Sequence, residues 1–146
     1  MENALTELMD AIVPELNKLL SDLGFWLHMA LLVGPVMMLI FGLYYFFLSP
    51  KEANHRAGYR TYFGMGSVPA WQFTQKLAGI AWGGLGLLLT IAMIIVWLVT
   101  KNDELQQSVS TALTCLIIQA CAVLVAFLTV EIMVFLKFDK DGNPKR

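Results

Sequence analysis

The sequence predicts an all-α integral membrane protein: three transmembrane helices plus an N-terminal amphipathic helix. Three observations carry this reading. Of 146 residues, 58% are hydrophobic and 14% charged, and the mean hydropathy is +0.65; an ordinary soluble domain is about 45–50% apolar and about 25% charged. The apolar residues are blocked into three long runs, and a bilayer core takes about 20 mainly apolar residues per helix. Ahead of the first run, apolar residues recur at helical spacing among acidic ones.

Residues 1–23 form that leading segment. Leu5, Leu8, Met9, Ile12, Val13, Leu16, Leu19, Leu20 and Leu23 fall on one stripe of period 3.6, with Glu2, Glu7, Asp10, Glu15 and Asp22 mostly off it. Pro14 is expected to weaken or kink the helix near its middle. Two roles fit: a helix lying on the outer membrane surface or against its own bundle, or an external docking face for a cationic partner. No secretory signal is read here, because the first long run starts late and follows acidic residues.

The first span is expected at 24–48, GFWLHMALLVGPVMMLIFGLYYFFL, with His28 near its outer end and a kink at Gly34-Pro35. The second, 77–99, carries no charge. It opens Gly79-x-x-x-Gly83, a spacing that lets helix backbones approach closely. Packing within the bundle explains it, and homo-oligomerisation is the alternative. The third span, 109–136, carries Gln119 near mid-membrane and Glu131 near its end. Gln119 is expected to make an interhelical hydrogen bond worth about 1 kcal/mol. Cys115 and Cys121 lie six apart on one helix, on different faces, and read as small buried residues that do not bridge each other.

Basic residues fix the expected topology. Lys51, Arg56, Arg60 and Lys76 lie in the loop 49–76, and Lys137, Lys140, Lys145 and Arg146 in the tail 137–146, against Lys18 before the first span and Lys101 in the second loop. Short cytoplasmic loops collect Lys and Arg. The first loop and the tail are therefore expected inside, and the N-terminus outside.

The loop 49–76 is richer than a connector needs. Arg56, Arg60 and Lys76 suit anionic headgroups, each attracted by roughly 1 kcal/mol. Tyr59, Tyr62 and Trp71 suit the interfacial aromatic belt. Ser67 can cap a helix that begins near Val68-Pro69 and runs through Trp71 into the second span. Glu131 lies about five residues, or roughly 7 Å, before the inner end of the third span, a depth at which a carboxylate needs a partner. It is expected to pair with Arg60 or Lys76 and fix the loop over the bundle.

Gly58-Tyr59-Arg60-Thr61, followed by Met65, Ser67 and Trp71-Gln72-Phe73, with Asn54 before and Gly79 after, resembles the signature of the SdpI family of bacterial membrane proteins. The resemblance covers about residues 50–100. It implies a multi-pass protein of the bacterial cytoplasmic membrane, surrounded by membrane lipid. It also implies immunity to a secreted, membrane-active peptide toxin, which would be the partner.

No Walker-type phosphate loop, no His/Cys cluster at metal spacing and no Ser/His/Asp set stands in the sequence. DKDGNP, near the end, has Pro144 where a calcium loop needs Gly and reads as a turn. The expectation is a non-enzymatic protein with no catalytic, cofactor or metal residue and no nucleic-acid partner. A small transporter or channel subunit, or a structural or regulatory subunit of a membrane complex, is the alternative.

Overall fold

A computed structural model describes residues 2–53, 55–101 and 105–145. It is all-helical. Helix α1 spans Glu2–Leu43 and continues into a single π-helical stretch, Tyr44–Leu48. Helix α2 spans Val68–Thr100 and α3 spans Leu105–Lys137. Segments Ala11–Leu48, Val68–Thr100 and Gln106–Lys137 are each long and apolar enough to cross a membrane.

The boundary expected between residues 23 and 24 does not appear as a break. The leading segment is not a separate amphipathic helix but the first half of α1, which runs through Pro14 and Pro35. Gly24 is the only glycine or proline between residues 15 and 34. An isolated glycine costs about 1 kcal/mol in a helix interior, too little to stop one. Met9, Ile12, Leu16 and Leu19 are exposed, so the stripe is not packed on its own bundle.

The three helices all touch one another, with α1–α2 the most extensive pairing. They pack antiparallel in sequence order, and small residues decide how closely. A Cβ built on Gly79 would fall 2.7 Å from Phe46 Cβ, and one on Gly42 would collide with the Gly83 backbone. The glycine stripe of α2 is thus used against α1 within one chain.

Buried residues form small clusters along the axis, such as Met38, Leu89 and Ala126 near the middle and Leu31, Met93, Ala112 and Cys115 toward the N-terminal side. Leu88, Ile95, Ile117 and Leu124 are exposed, as expected of side chains facing lipid. Cys115 is buried and Cys121 exposed, both as free thiols. At the far end His28 is buried. Its Nε2 lies 2.7 Å from Thr100 Oγ1 and its Nδ1 2.7 Å from Gly24 O, which ties α1 to the end of α2.

Gln119 Nε2 donates to Leu31 O at 2.9 Å, the expected interhelical bond. Its acceptor is specific. Pro35 has no N–H, so the carbonyl four residues earlier, that of Leu31, has no intrahelical donor. Gln119 supplies one from α3.

Candidate functional site: the capped end of the bundle

At the opposite end from His28, the loop after α1 folds over the helices and the tail after α3 folds back onto it. The loop is anchored through α2. Ser67 is the N-cap, its Oγ accepting Ala70 N–H at 3.2 Å. The same hydroxyl donates to Gly142 O in the tail at 2.6 Å. Pro69 sits in the first turn, where a missing N–H leaves nothing unpaired. Trp71, fully buried, donates from Nε1 to Pro50 O at 2.7 Å.

Gln75 makes the central contact. Its Oε1 accepts Tyr59 N–H at 2.8 Å and its Nε2 donates to Tyr59 O at 2.7 Å. One buried amide thereby satisfies both backbone groups of a loop residue. Gly58 stands immediately before at φ +100°, with the Trp71 ring 2.6 Å from where a Cβ would lie. Only glycine meets both demands. Thr61, buried, closes the next turn by accepting Gly64 N–H at 2.8 Å.

The Tyr59 ring stands edge-on to Tyr45, 5.5 Å between centroids, and 6.2 Å from Trp82. It belongs to a core cluster with Ala70, Ala78, Val130, Val134 and Phe138. Tyr59 Oη and Trp82 Nε1 are buried with no hydrogen-bond partner among the described residues. Burial first, and the nearby Glu131 carboxylate second, push the Tyr59 phenol up to about 12. At neutral pH it is therefore a neutral packing group and cannot serve as a base.

The tail completes the cap. Phe138 is buried and bridges to Pro144, and Asp139 accepts the N–H groups of Asp141 at 3.0 Å and Asn143 at 2.8 Å. DKDGNP is thus a tight, self-bonded turn. Lys137 Nζ lies 3.9 Å from the centre of the Phe73 ring, and Lys145 Nζ lies 4.2 Å from that of Phe135. These cation–aromatic contacts bring the tail lysines down onto the bundle.

The expected ion pair does not form. Among the described residues no salt bridge or hydrogen bond joins Glu131 to Arg60 or Lys76. Arg60 is exposed and its Nη1 donates to His55 O at 2.8 Å. The reason is local: burial alternates along residues 59–61, with Tyr59 and Thr61 buried and Arg60 exposed between them. Tyr59 and Thr61 take the inward positions, so Arg60 points out. Glu131 is half-buried on α3, on the side near Tyr59.

The structure brings Gly58, Tyr59, Thr61, Ser67 and Trp71 together with Gln75, which the sequence reading did not single out. Its signal was available: a neutral amide one turn after Trp71, at the mouth of a charge-free span, wants two partners. Asn54 lies outside the described residues. Gly79, Gly83 and Gln119 serve helix packing, Gly79 against Phe46 just below the cap and Gln119 nearer mid-span. Among the described residues no group of three or more His, Cys, Asp or Glu side chains could hold a metal ion.

A profile of the SdpI/YfhL protein family matches residues 51–134, more than half the chain. This chain belongs to the SdpI/YfhL family. The match begins where the loop leaves α1 and ends inside α3. Its extent therefore takes in the cap from Gly58 to Gln75, the glycine stripe of α2, Gln119 and Glu131. Comparison with curated proteins and with solved structures gave no significant match. In this SdpI/YfhL member the Gly-Tyr-Arg-Thr segment has a physical meaning. It provides one positive-φ residue, one buried ring held by its backbone, one outward cation and one turn-closing hydroxyl.

Proposed function

We propose that the chain is a non-enzymatic protein of the bacterial cytoplasmic membrane that protects its cell against a membrane-active peptide toxin. Membership of the SdpI/YfhL family over residues 51–134 is the observation that carries this reading. Two others support it. At the capped end the Gln75 amide, the Ser67 hydroxyl and the Trp71 N–H are each bonded to loop or tail backbone, so these groups serve the fold. The N-terminal half of α1 carries exposed Ile12, Leu16 and Leu19 beside Glu15 and Asp22. An amphipathic cationic peptide could pair with both parts of such a surface.

In this reading the loop 49–67 and the tail after Lys137 are cytoplasmic. They meet at Ser67–Gly142 and so share one face, and both are rich in Lys and Arg, in keeping with the positive-inside rule. The N-terminus is then outside, on the side from which a secreted toxin arrives.

The test is survival of toxin-sensitive bacteria expressing the full chain, challenged with a panel of membrane-active peptides, with insertion checked by immunoblot of membranes. Protection against one peptide, reduced by Leu16→Ser with Leu19→Ser at equal membrane level, is the expected result. No protection across the panel by a correctly inserted chain would sink the proposal and favour a subunit of a membrane complex.

A further inference from the structure

A groove of about 440 Å³ opens beside the cap, between the end of α1 and the first turns of α2. One wall comes from the π-helical stretch Tyr44–Leu48 and the extended Ser49 that follows it. Trp71 Nε1 to Pro50 O and Gln72 Nε2 to Lys51 O, at 2.7 and 3.3 Å, pin the far wall. π-Helical turns are rare and recur at functional sites.

The lining is divided by chemistry. Phe46 and Phe47, edge to face at 4.9 Å, are 43% and 72% exposed and form an apolar wall. Lys51 and Lys76, both exposed, stand on the polar side with Ser49 and Gln72. Neither side-chain ammonium has a hydrogen bond or ion pair among the described residues, and no carboxylate lines the groove. Two ammonium groups thus line one space that holds no opposite charge of its own, and an anion there gains Coulomb attraction from both. The groove also lies where the first apolar run ends, at Leu48, and the second begins, at Leu77, which is headgroup depth.

We infer that this groove is a binding site for one anionic phospholipid, its headgroup phosphate between Lys51 and Lys76 and its acyl chains along Phe46 and Phe47. A free phosphate would make no use of the phenyl wall. A zwitterionic lipid brings its phosphate together with a choline cation, adds no net negative charge, and leaves the charge of the two lysines uncompensated. An anionic amphiphile uses both, and Phe47 and Leu48, each more than 70% exposed, continue the apolar wall toward the bilayer. This assignment is independent of any protective role.

The test uses the purified full-length chain, stripped of lipid in a neutral detergent. Dioleoylphosphatidylglycerol, dioleoylphosphatidylcholine and inorganic phosphate are titrated separately against thermal stability, and retained lipids are counted by native mass spectrometry. Phosphatidylglycerol should raise Tm saturably with one lipid retained, and phosphatidylcholine should not. In Lys51→Gln with Lys76→Gln, the midpoint of that response should move about tenfold to thirtyfold higher, as two interfacial cations imply. Lys101→Gln with Lys140→Gln, which removes equal charge elsewhere, should leave the midpoint unchanged. The inference is overturned if phosphatidylcholine matches phosphatidylglycerol, or if both double variants respond alike. It is also overturned if inorganic phosphate reproduces the whole shift.

Discussion

Gln119 repairs a hydrogen-bond gap that Pro35 opens two helices away in sequence. Leu31 O, deprived of its intrahelical donor by the proline, receives Gln119 Nε2 at 2.9 Å, and both residues are buried. The two are therefore energetically coupled though they need not touch. Gln119→Leu should lower stability in detergent by about 1–2 kcal/mol, the range for a buried carbonyl left unpaired within a membrane bundle. Adding Pro35→Ala should recover part of that loss, because an alanine at 35 returns an N–H to Leu31 O. A thermal double-mutant cycle measures the coupling, and strict additivity of the two changes would refute it.

The glycines at the α1–α2 crossing should respond unequally to the same change. A Cβ on Gly42 would strike the Gly83 backbone, whereas one on Gly83 would lie 3.6 Å from Gly42 Cα, an ordinary contact. Gly42→Ala should therefore destabilise by about 1–3 kcal/mol through overpacking. Gly83→Ala should be neutral or slightly stabilising, since alanine is the better helix former by about 1 kcal/mol. Melting temperatures of the two variants decide it, and equal losses would show that the crossing is not packed this way.

Long-range organisation was legible in the sequence because membrane helices announce themselves by length and composition. The cap at Ser67, the interhelical role of Gln119 and the close approach at Gly79 and Gly83 could also be read, since each rests on a local rule. Three features were missed. Continuity of α1 through residues 23–24 depends on the absence of any strong stop, a weaker signal than the change from acidic to apolar residues. Which residues of a loop face inward depends on tertiary packing, so Arg60 looked like the partner of Glu131 when its neighbours Tyr59 and Thr61 are the buried ones. Gln75 was overshadowed by the more conspicuous Trp71 beside it, although its amide holds the loop.

The tail turn should be insensitive to pH until strongly acidic conditions. The backbone N–H of Asn143 chiefly holds the Asp139 carboxyl below the usual range. A depressed folded-state value means the stabilisation is complete above the ordinary Asp value of about 3.9. It is lost only as pH falls through the lower, folded value. Hydrogen exchange at the Asp141 and Asn143 amides, corrected for its intrinsic pH dependence, should show steady protection from pH 7 to about 5, well above that window. Asp139→Ala should abolish the protection at both pH values. A loss of protection near pH 6 in the unsubstituted chain would assign the turn to some other titrating group.

The cap makes its sharpest claim at three neighbouring positions. If the backbone of Tyr59, rather than the charge of Arg60, fastens the loop, then Arg60→Gln should change stability by no more than about 0.5 kcal/mol, as for other exposed substitutions. Gln75→Leu should cost about 2–4 kcal/mol, because it strands a buried N–H and a buried C=O together. Tyr59→Phe should be tolerated or stabilising, since it removes a hydroxyl that has no hydrogen-bond partner among the described residues. It should also alter the alkaline limb of stability. With the Tyr59 phenol at about 12 in the folded chain and about 10 when unfolded, its contribution is intact below pH 10. Between those values the unfolded chain ionises first and stability falls. Thermal melts of the unsubstituted chain and Tyr59→Phe from pH 8 to 12 test the whole scheme. A steeper decline in the chain that keeps Tyr59, together with a large loss in Gln75→Leu and none in Arg60→Gln, is the expected pattern. A large loss in Arg60→Gln would return the fastening of the loop to its charge.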